Sequence, residues 1–247
     1  MSRATGAVCA ALLLATLVSC APPRLGRPPH AAVDPTQALQ LVRQREDRIV
    51  SLRARFTADT RVADDSRRAD GVLLVKKPDR FRMRLMLPFG PTIFDYLSWG
   101  ERTQLSLPLR GGNDDRPPNE LAPFSREDLG QAFLRGPAAF PGTCVPARDS
   151  RTDVVVSCRD DDGSLLRQLR ISDDRAIIRD ETSFEAGAPR MVLRFSDYRP
   201  IDDLELPFQI TMLYPGRQLS VDIAINKYEV NPTLADALFE PSRPWGS

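Results

Sequence analysis

The sequence predicts a mainly β fold of the α+β class, with about ten to eleven strands in one mostly antiparallel sheet and two principal helices. Three observations carry this. Runs of apolar residues with a period of two follow one another along most of the chain, separated by short turn signals. Signals for the start of a principal helix occur at two places, near Asp34 and near Ser125. Nothing in composition divides the region 35–247, so one domain is expected there. A sheet of that many strands curls rather than lying flat.

The elements follow in order. Asp34-Pro35-Thr36-Gln37 gives a capping acid, a proline at the first helical position and a capping-box partner, and Leu39, Val42 and Ile49 mark one stripe, so a helix is predicted over 35–51. The period then changes to two over 52–62, and 71–75 is a short apolar run. In 80–87, Phe81, Met83, Leu85 and Leu87 fall on one face and Arg80, Arg82 and Arg84 on the other, which describes a half-buried antiparallel strand. Pro88-Phe89-Gly90-Pro91 turns the chain into a strand over 92–99, whose one face carries Ile93, Leu97 and Trp99, and a further strand is predicted over 103–107. The stretch 111–118 is a solvated loop. Ser125 caps a second helix with the stripe Leu129, Ala132 and Phe133, and Gly136-Pro137 ends it. Strands are then predicted over 153–158, 165–171, 176–184, 191–198, 208–214 and 219–228, and Asn231-Pro232 opens a short terminal helix.

The N-terminus reads as an address. Arg3 precedes an apolar run over 7–18, too short to span a bilayer and suited to a secretory signal. It ends Leu17-Val18-Ser19-Cys20-Ala21, which resembles a bacterial lipoprotein lipobox. The resemblance implies removal of 1–19 and acylation of Cys20, with an outer-membrane destination because Ala21 is not Asp. The plainer reading is an ordinary signal peptide that ends in Cys. Three acyl chains exceed the two signals that stable anchoring needs. Residues 20–34 form the lipidated Cys and a Pro-rich tether, with Pro22, Pro23, Pro28 and Pro29. Removing nineteen residues with one Arg and no acid takes the 247-residue chain to 228, and its 34 basic residues to 33, level with the 33 acids. A neutral chain is a poor candidate for nucleic-acid binding.

Catalysis finds little support. The one histidine, His30, lies in the tether, so no Ser-His-Asp or Cys-His arrangement can form in the domain. No nucleophile elbow and no phosphate-binding glycine loop occurs, and Asp160-Asp161-Asp162-Gly163 lacks the alternation of a calcium loop. No enzyme activity and no cofactor is therefore expected. Cys144 and Cys158, 14 residues apart, read as a disulfide closing a hairpin in an oxidising compartment. Zinc is the weaker alternative, because no further Cys or His completes a tetrahedral site.

The stretch Phe81-Arg82-Met83-Arg84-Leu85, followed by Pro88-Phe89-Gly90, resembles a motif of the LolA/LolB lipoprotein-carrier family, closest to LolB. Leu129 to Pro137 echoes a later LolB segment, and Leu206-Pro207, Asn231-Pro232 and Phe239-Glu240-Pro241 look like the wider family. The resemblance implies an incomplete antiparallel barrel, closed by helices, whose hollow takes acyl chains of lipoproteins. It implies a lipid-anchored protein on the outer membrane, facing the periplasm, that receives acylated cargo from a soluble LolA-like carrier. It also implies that Phe89, standing where LolB has an exposed Leu, enters the membrane with its neighbours Pro88 and Gly90. The other reading of Phe89 is a ring folded back over the strand ends.

Residues Phe81, Met83, Leu85, Leu87, Ile93, Leu97 and Trp99 are candidates to line the hollow, or else they fill a core. The disulfide pair is no part of the LolB pattern. The same fold also suits an envelope-stress sensor, an assembly module or a carrier of another lipid.

Overall fold

The computed structural model describes residues 33–107, 128, 132–133, 142–149 and 153–240. Within them, helix α1 (Pro35–Asp47) is followed by β1 (Ser51–Val62), β2 (Asp65–Lys76), β3 (Arg80–Met86), β4 (Thr92–Trp99), β5 (Arg102–Ser106), β6 (Thr143–Arg148), β7 (Asp153–Arg159), β8 (Leu165–Ser172), β9 (Ile178–Glu185), β10 (Ala188–Ile201), β11 (Leu204–Tyr214) and β12 (Leu219–Val230). The strands form one antiparallel sheet in the order β5-β4-β3-β2-β1-β12-β11-β10-β9-β8-β7-β6. Every neighbour in that order is a chain neighbour except β1 and β12, which bring the two ends of the domain together over 11 paired residues. β5 and β6 do not pair, so the sheet is an incomplete barrel.

Twelve strands stand where ten to eleven were expected. The additional one is β6, whose Pro146 argues against a strand on sequence grounds. Pro lacks a donor and is tolerated at a sheet edge, which is where β6 lies. β2 extends well beyond its apolar run 71–75, because the polar segment Asp65 to Asp70 pairs in full register with β1, from Val62–Asp65 to Thr57–Asp70. The C-terminal helix starts later than Asn231 and is a single 3₁₀ turn, Asp236–Phe239. Of the second predicted helix, Asp128, Ala132 and Phe133 are described, and all three are helical.

Alternation places one set of side chains from every strand on the inner face. Phe56, Leu73, Met83, Tyr96, Val156, Leu169, Leu193, Ile210, Met212 and Ile223 join there, with Ala38, Leu39 and Val42 of α1, into one core. Phe56 and Gly71 are directly opposite in the β1–β2 ladder. The Phe56 ring lies over Gly71 so closely that a Cβ there would be 2.2 Å from the ring, and its other side meets Phe133 with centroids 5.4 Å apart. A missing side chain on β2 thus makes room for the ring that the second helix packs against.

The outer face is mostly polar and has one apolar island, Leu97, Leu234 and Phe239 with Leu74 and Trp99 packed beside them. Arg82 holds it shut. Its guanidinium makes two bonds to Asp95, at 2.9 and 2.7 Å, and donates to the carbonyls of Leu238 and Glu240 at 2.8 and 3.1 Å. Arg80 stacks on Trp99 at 4.2 Å. Among the described residues no helix is long and apolar enough to cross a membrane.

Gly71→Ala should lower unfolding stability by about 1–3 kcal/mol in urea denaturation, because the Phe56 ring must leave its seat. An unchanged midpoint would show that the ring has another place to go.

Candidate functional site: a hollow beneath the first helix

The sequence of α1 sets where it starts and stops. The Asp34 carboxylate accepts the N–H groups of Thr36 and Gln37, at 2.9 and 3.3 Å, as its place before Pro35 requires. The residue before it is fastened to the far side of the sheet: Asp173 accepts the N–H of Val33 at 2.8 Å, and Arg148 bonds both Asp173 and the Val33 carbonyl, at 2.6 and 2.7 Å. The helix ends at Asp47 rather than near Ser51. Asn231, in the left-handed region at φ 52°, accepts the N–H groups of Val50 and Ser51 at 2.8 and 3.3 Å and donates to the Arg48 carbonyl at 2.9 Å. One amide side chain thereby ends the helix, begins β1 and ties both to the end of β12.

Between its fastened ends α1 crosses one end of the sheet and covers a part-open hollow. The hollow has a volume of about 80 Å³, below the ~300–1,000 Å³ usual for small-molecule sites, and it opens to solvent. Its apolar wall comes from Val42 and Ile49 near α1, Leu52 of β1, Ile178 of β9, Leu204 and Leu206 of β11, and Phe133. Two phenols stand among them with their hydroxyls already used: Tyr228 donates to the Pro207 carbonyl at 2.9 Å, and Tyr198 donates to the Ile178 carbonyl. Polar groups gather at the rim, with Arg45, Glu46 and Glu205. Arg45 donates to the carbonyls of Arg175 and Ala176, at 2.9 and 2.8 Å, and Arg175 pairs with Glu205. The Lys77 ammonium donates to the Glu46 carbonyl at 2.6 Å, and burial lowers its pKa against the raising effect of Asp47 and Glu46.

Asp128, of the second helical segment, is held at the other end of the sheet. Arg190 bonds the buried Asp128 carboxylate at 2.6 Å, and the Tyr214 hydroxyl donates to it at 3.4 Å. Burial, and after it the charge of Asp128, pushes the Tyr214 phenol far above its ordinary pKa, so the hydroxyl keeps its proton as a donor.

The candidate lining residues divide. Phe81 and Met83 face inward and are buried, with Phe81 edge-on to Tyr96 at 5.9 Å, and Leu85 and Ile93 pack partly buried against the same core. None of them borders the hollow beneath α1. Leu97 and Trp99 do not share their face. The β3–β4 register sets Leu97 opposite Arg82 and Trp99 opposite Arg80, so both point outward into the island under the C-terminal turn. Phe94 and Tyr96 take the inward positions of β4 instead. The physical reason is a register irregularity between Leu85 and Met86, which lets Ile93 reach the core although it alternates with Phe94. Leu87 lies past the end of β3 and is exposed. Cys144 and Cys158 are directly opposite in β6 and β7 and form a disulfide with an S–S distance of 2.08 Å. Cys20 lies outside the described residues, as do Leu129 and 134–137 of the second LolB-like segment.

Pro88, Phe89 and Gly90 form the β3–β4 tip. The N–H of Gly90 donates to the Leu87 carbonyl at 2.8 Å, closing a four-residue turn with Pro88 second and Phe89 third. Phe89 has φ 56° and is fully exposed. Pro second and a positive φ third define a type II turn, whose third place suits Gly or Asn, and a bulky residue there costs of order 1–3 kcal/mol. A Cβ on Gly90 would be 2.8 Å from that of Leu87, which explains the glycine. The ring therefore does not fold back over the strand ends. The tip and the hollow belong to opposite ends of the sheet. Leu52 lies level with Val75 and Phe81, while Met86 lies level with Asp70, about 17 Å further along at ~3.3 Å per residue.

Most of the chain superposes on solved structures. A DUF1329 family protein from Desulfovibrio piger superposes with a TM-score of 0.60 at 14% identity, covering 85% of this chain and 99% of that one. A domain assigned to outer-membrane lipoprotein sorting from Vibrio parahaemolyticus gives 0.60 at 14%, covering 83% and 97%. A LolA superfamily protein from Nitrosomonas europaea gives 0.60 at 13%, covering 85% and 99%. The chain has a LolA/LolB-like fold. No family sequence model and no curated protein sequence matches it.

The hollow draws part of its wall from residues that sequence reasoning did not single out, Leu204 and Ile178 among them. Their shared signal is position: apolar residues at strand ends facing the last turn of a helix. Phe89→Gly should leave thermal stability unchanged or raise it, since it relieves the turn and loses no buried contact. A clear drop in melting temperature would mean that the ring packs.

Proposed function

We propose that this chain is a lipid-anchored carrier that takes acyl chains of lipoproteins, delivered by a soluble partner of the same fold, into the hollow beneath α1 and releases them to the outer membrane. The observation that carries the reading is a part-open, largely apolar hollow in a LolA/LolB-like fold. Burial of an acyl chain there is favourable by ~0.8 kcal/mol per CH₂, so apolar contact alone can drive capture and no bond need be made or broken. Cys20 would carry the anchor. Phe89, apolar, exposed and held in a strained turn, would enter the bilayer interface.

The two ends of the sheet then have separate work, one meeting the membrane and the other holding cargo. Native mass spectrometry of the purified chain with a triacylated lipopeptide should show a one-to-one complex. Leu206→Glu, which places a charge on a half-buried wall position, should weaken it about tenfold or more. Failure of the parent chain to retain the lipopeptide would contradict the reading. Phe89→Glu should bind the lipopeptide as the parent does and deliver it to outer-membrane vesicles far more slowly. Equal delivery rates would remove the tip from the mechanism.

A further inference from the structure

The hollow's rim holds a charge, that of Arg45, which no carboxylate pairs with among the described residues. Other arginines at this end of the sheet meet acids: Arg48 pairs with Asp203, Arg175 with Glu205, and Arg53 with Glu229 at 3.0 Å. Arg45 is different. Among the described residues it bonds two carbonyl oxygens, both through one nitrogen, Nη1. A guanidinium has five N–H donors in a fixed fork, so those two bonds orient the group and leave the other nitrogens as donors. The last turn of α1 favours a cation there, which accounts for its presence but offsets little of its charge. Of the acids beside it, Glu205 is engaged by Arg175, and Glu46 has the Lys77 ammonium close by. Arg45 itself borders the hollow, within the same wall as Leu52, Phe133 and Leu204.

We propose that the hollow takes an amphiphile with an anionic head, its acyl tail among Leu52, Phe133, Leu204 and Leu206 and its carboxylate or phosphate on Arg45. This rests on the acyl-chain reading above for the tail alone, since an acylated cysteine has no carboxylate or phosphate, and it assigns the hollow a second class of occupant. Arg is the side chain best suited to hold either anion through two parallel bonds, and its fixed plane at the mouth is ready for one. A neutral head would leave that donor set facing an uncharged group.

The test compares three probes on the full purified chain by displacement of a fluorescent fatty acid: palmitate, a palmitoyl lysophosphatidylethanolamine and uncharged monopalmitin. Palmitate, the lysophospholipid or both should bind about tenfold or more tightly than monopalmitin, and which of them does so identifies carboxylate or phosphate as the source. Arg45→Gln should weaken palmitate and the lysophospholipid about tenfold more than monopalmitin and so abolish the difference, and Arg45→Lys should keep most of it. Equal affinity for all three probes in the parent chain would overturn the head-group assignment and leave the acyl hollow standing, as would an Arg45→Gln variant that weakens all three alike. Failure of every probe to bind would instead overturn the acyl-chain reading. The parent-chain comparison decides the matter even if a variant folds poorly.

Discussion

The seating of α1 across an unclosed sheet is the constraint on which the structure depends. A twelve-stranded sheet with unpaired edges presents one apolar face that strand pairing cannot cover. α1 covers part of it, and its own apolar stripe is short, with Ala38, Leu39 and Val42 buried. Helices this short gain most of their stability from packing. The position is therefore specified by polar contacts at both ends: Asp173 and Arg148 on Val33, and Asn231 on Val50, Ser51 and Arg48. Its first half packs into the core through Ala38 and Leu39, and its second half, at Val42, Arg45 and Glu46, leaves space beside it. The hollow is the consequence.

The same division runs through the rest of the molecule. On the β1–β4 side the inner face is filled: the Phe56 ring occupies the place of the missing Gly71 side chain, and Phe81, Phe94 and Tyr96 pack edge to face and stacked. Between the second half of α1 and residues of β9 to β12, the wall is apolar but the space is open. The outer face is closed separately by Arg82, which ties the C-terminal turn across β3 and β4. Filled core, open hollow and outer clamp are thus distinct devices on one sheet, and a change to one need not disturb the others.

Much of this was legible in the sequence, and the reasons are local. Asp34-Pro35 marks the helix start because capping and a fixed φ act over a few residues. The alternation of Phe81, Arg82, Met83 and Arg84 fixes which side of β3 faces inward, since a strand has only two sides. The paired cysteines announce a hairpin. What escaped the sequence was decided at long range. The face of β4 follows from its register on β3, and an irregularity near Leu85 sends Leu97 and Trp99 outward and Phe94 and Tyr96 inward. β6 is a strand despite Pro146 because it is an edge. The end of α1 is set by Asn231, some 180 residues away in the chain. The hollow's wall is assembled from five strands and two helical segments, and no single window of sequence contains it.

The central claim is that an acyl chain lies beneath α1. Photo-crosslinking with a palmitoyl lipid carrying a diazirine near the end of its chain, followed by peptide mass spectrometry, tests it directly. Adducts on Leu52, Phe133, Leu204 or Leu206 are the predicted result. Adducts confined to the outer island of Leu97 and Trp99, to the Phe89 tip, or spread without preference over the surface would contradict it.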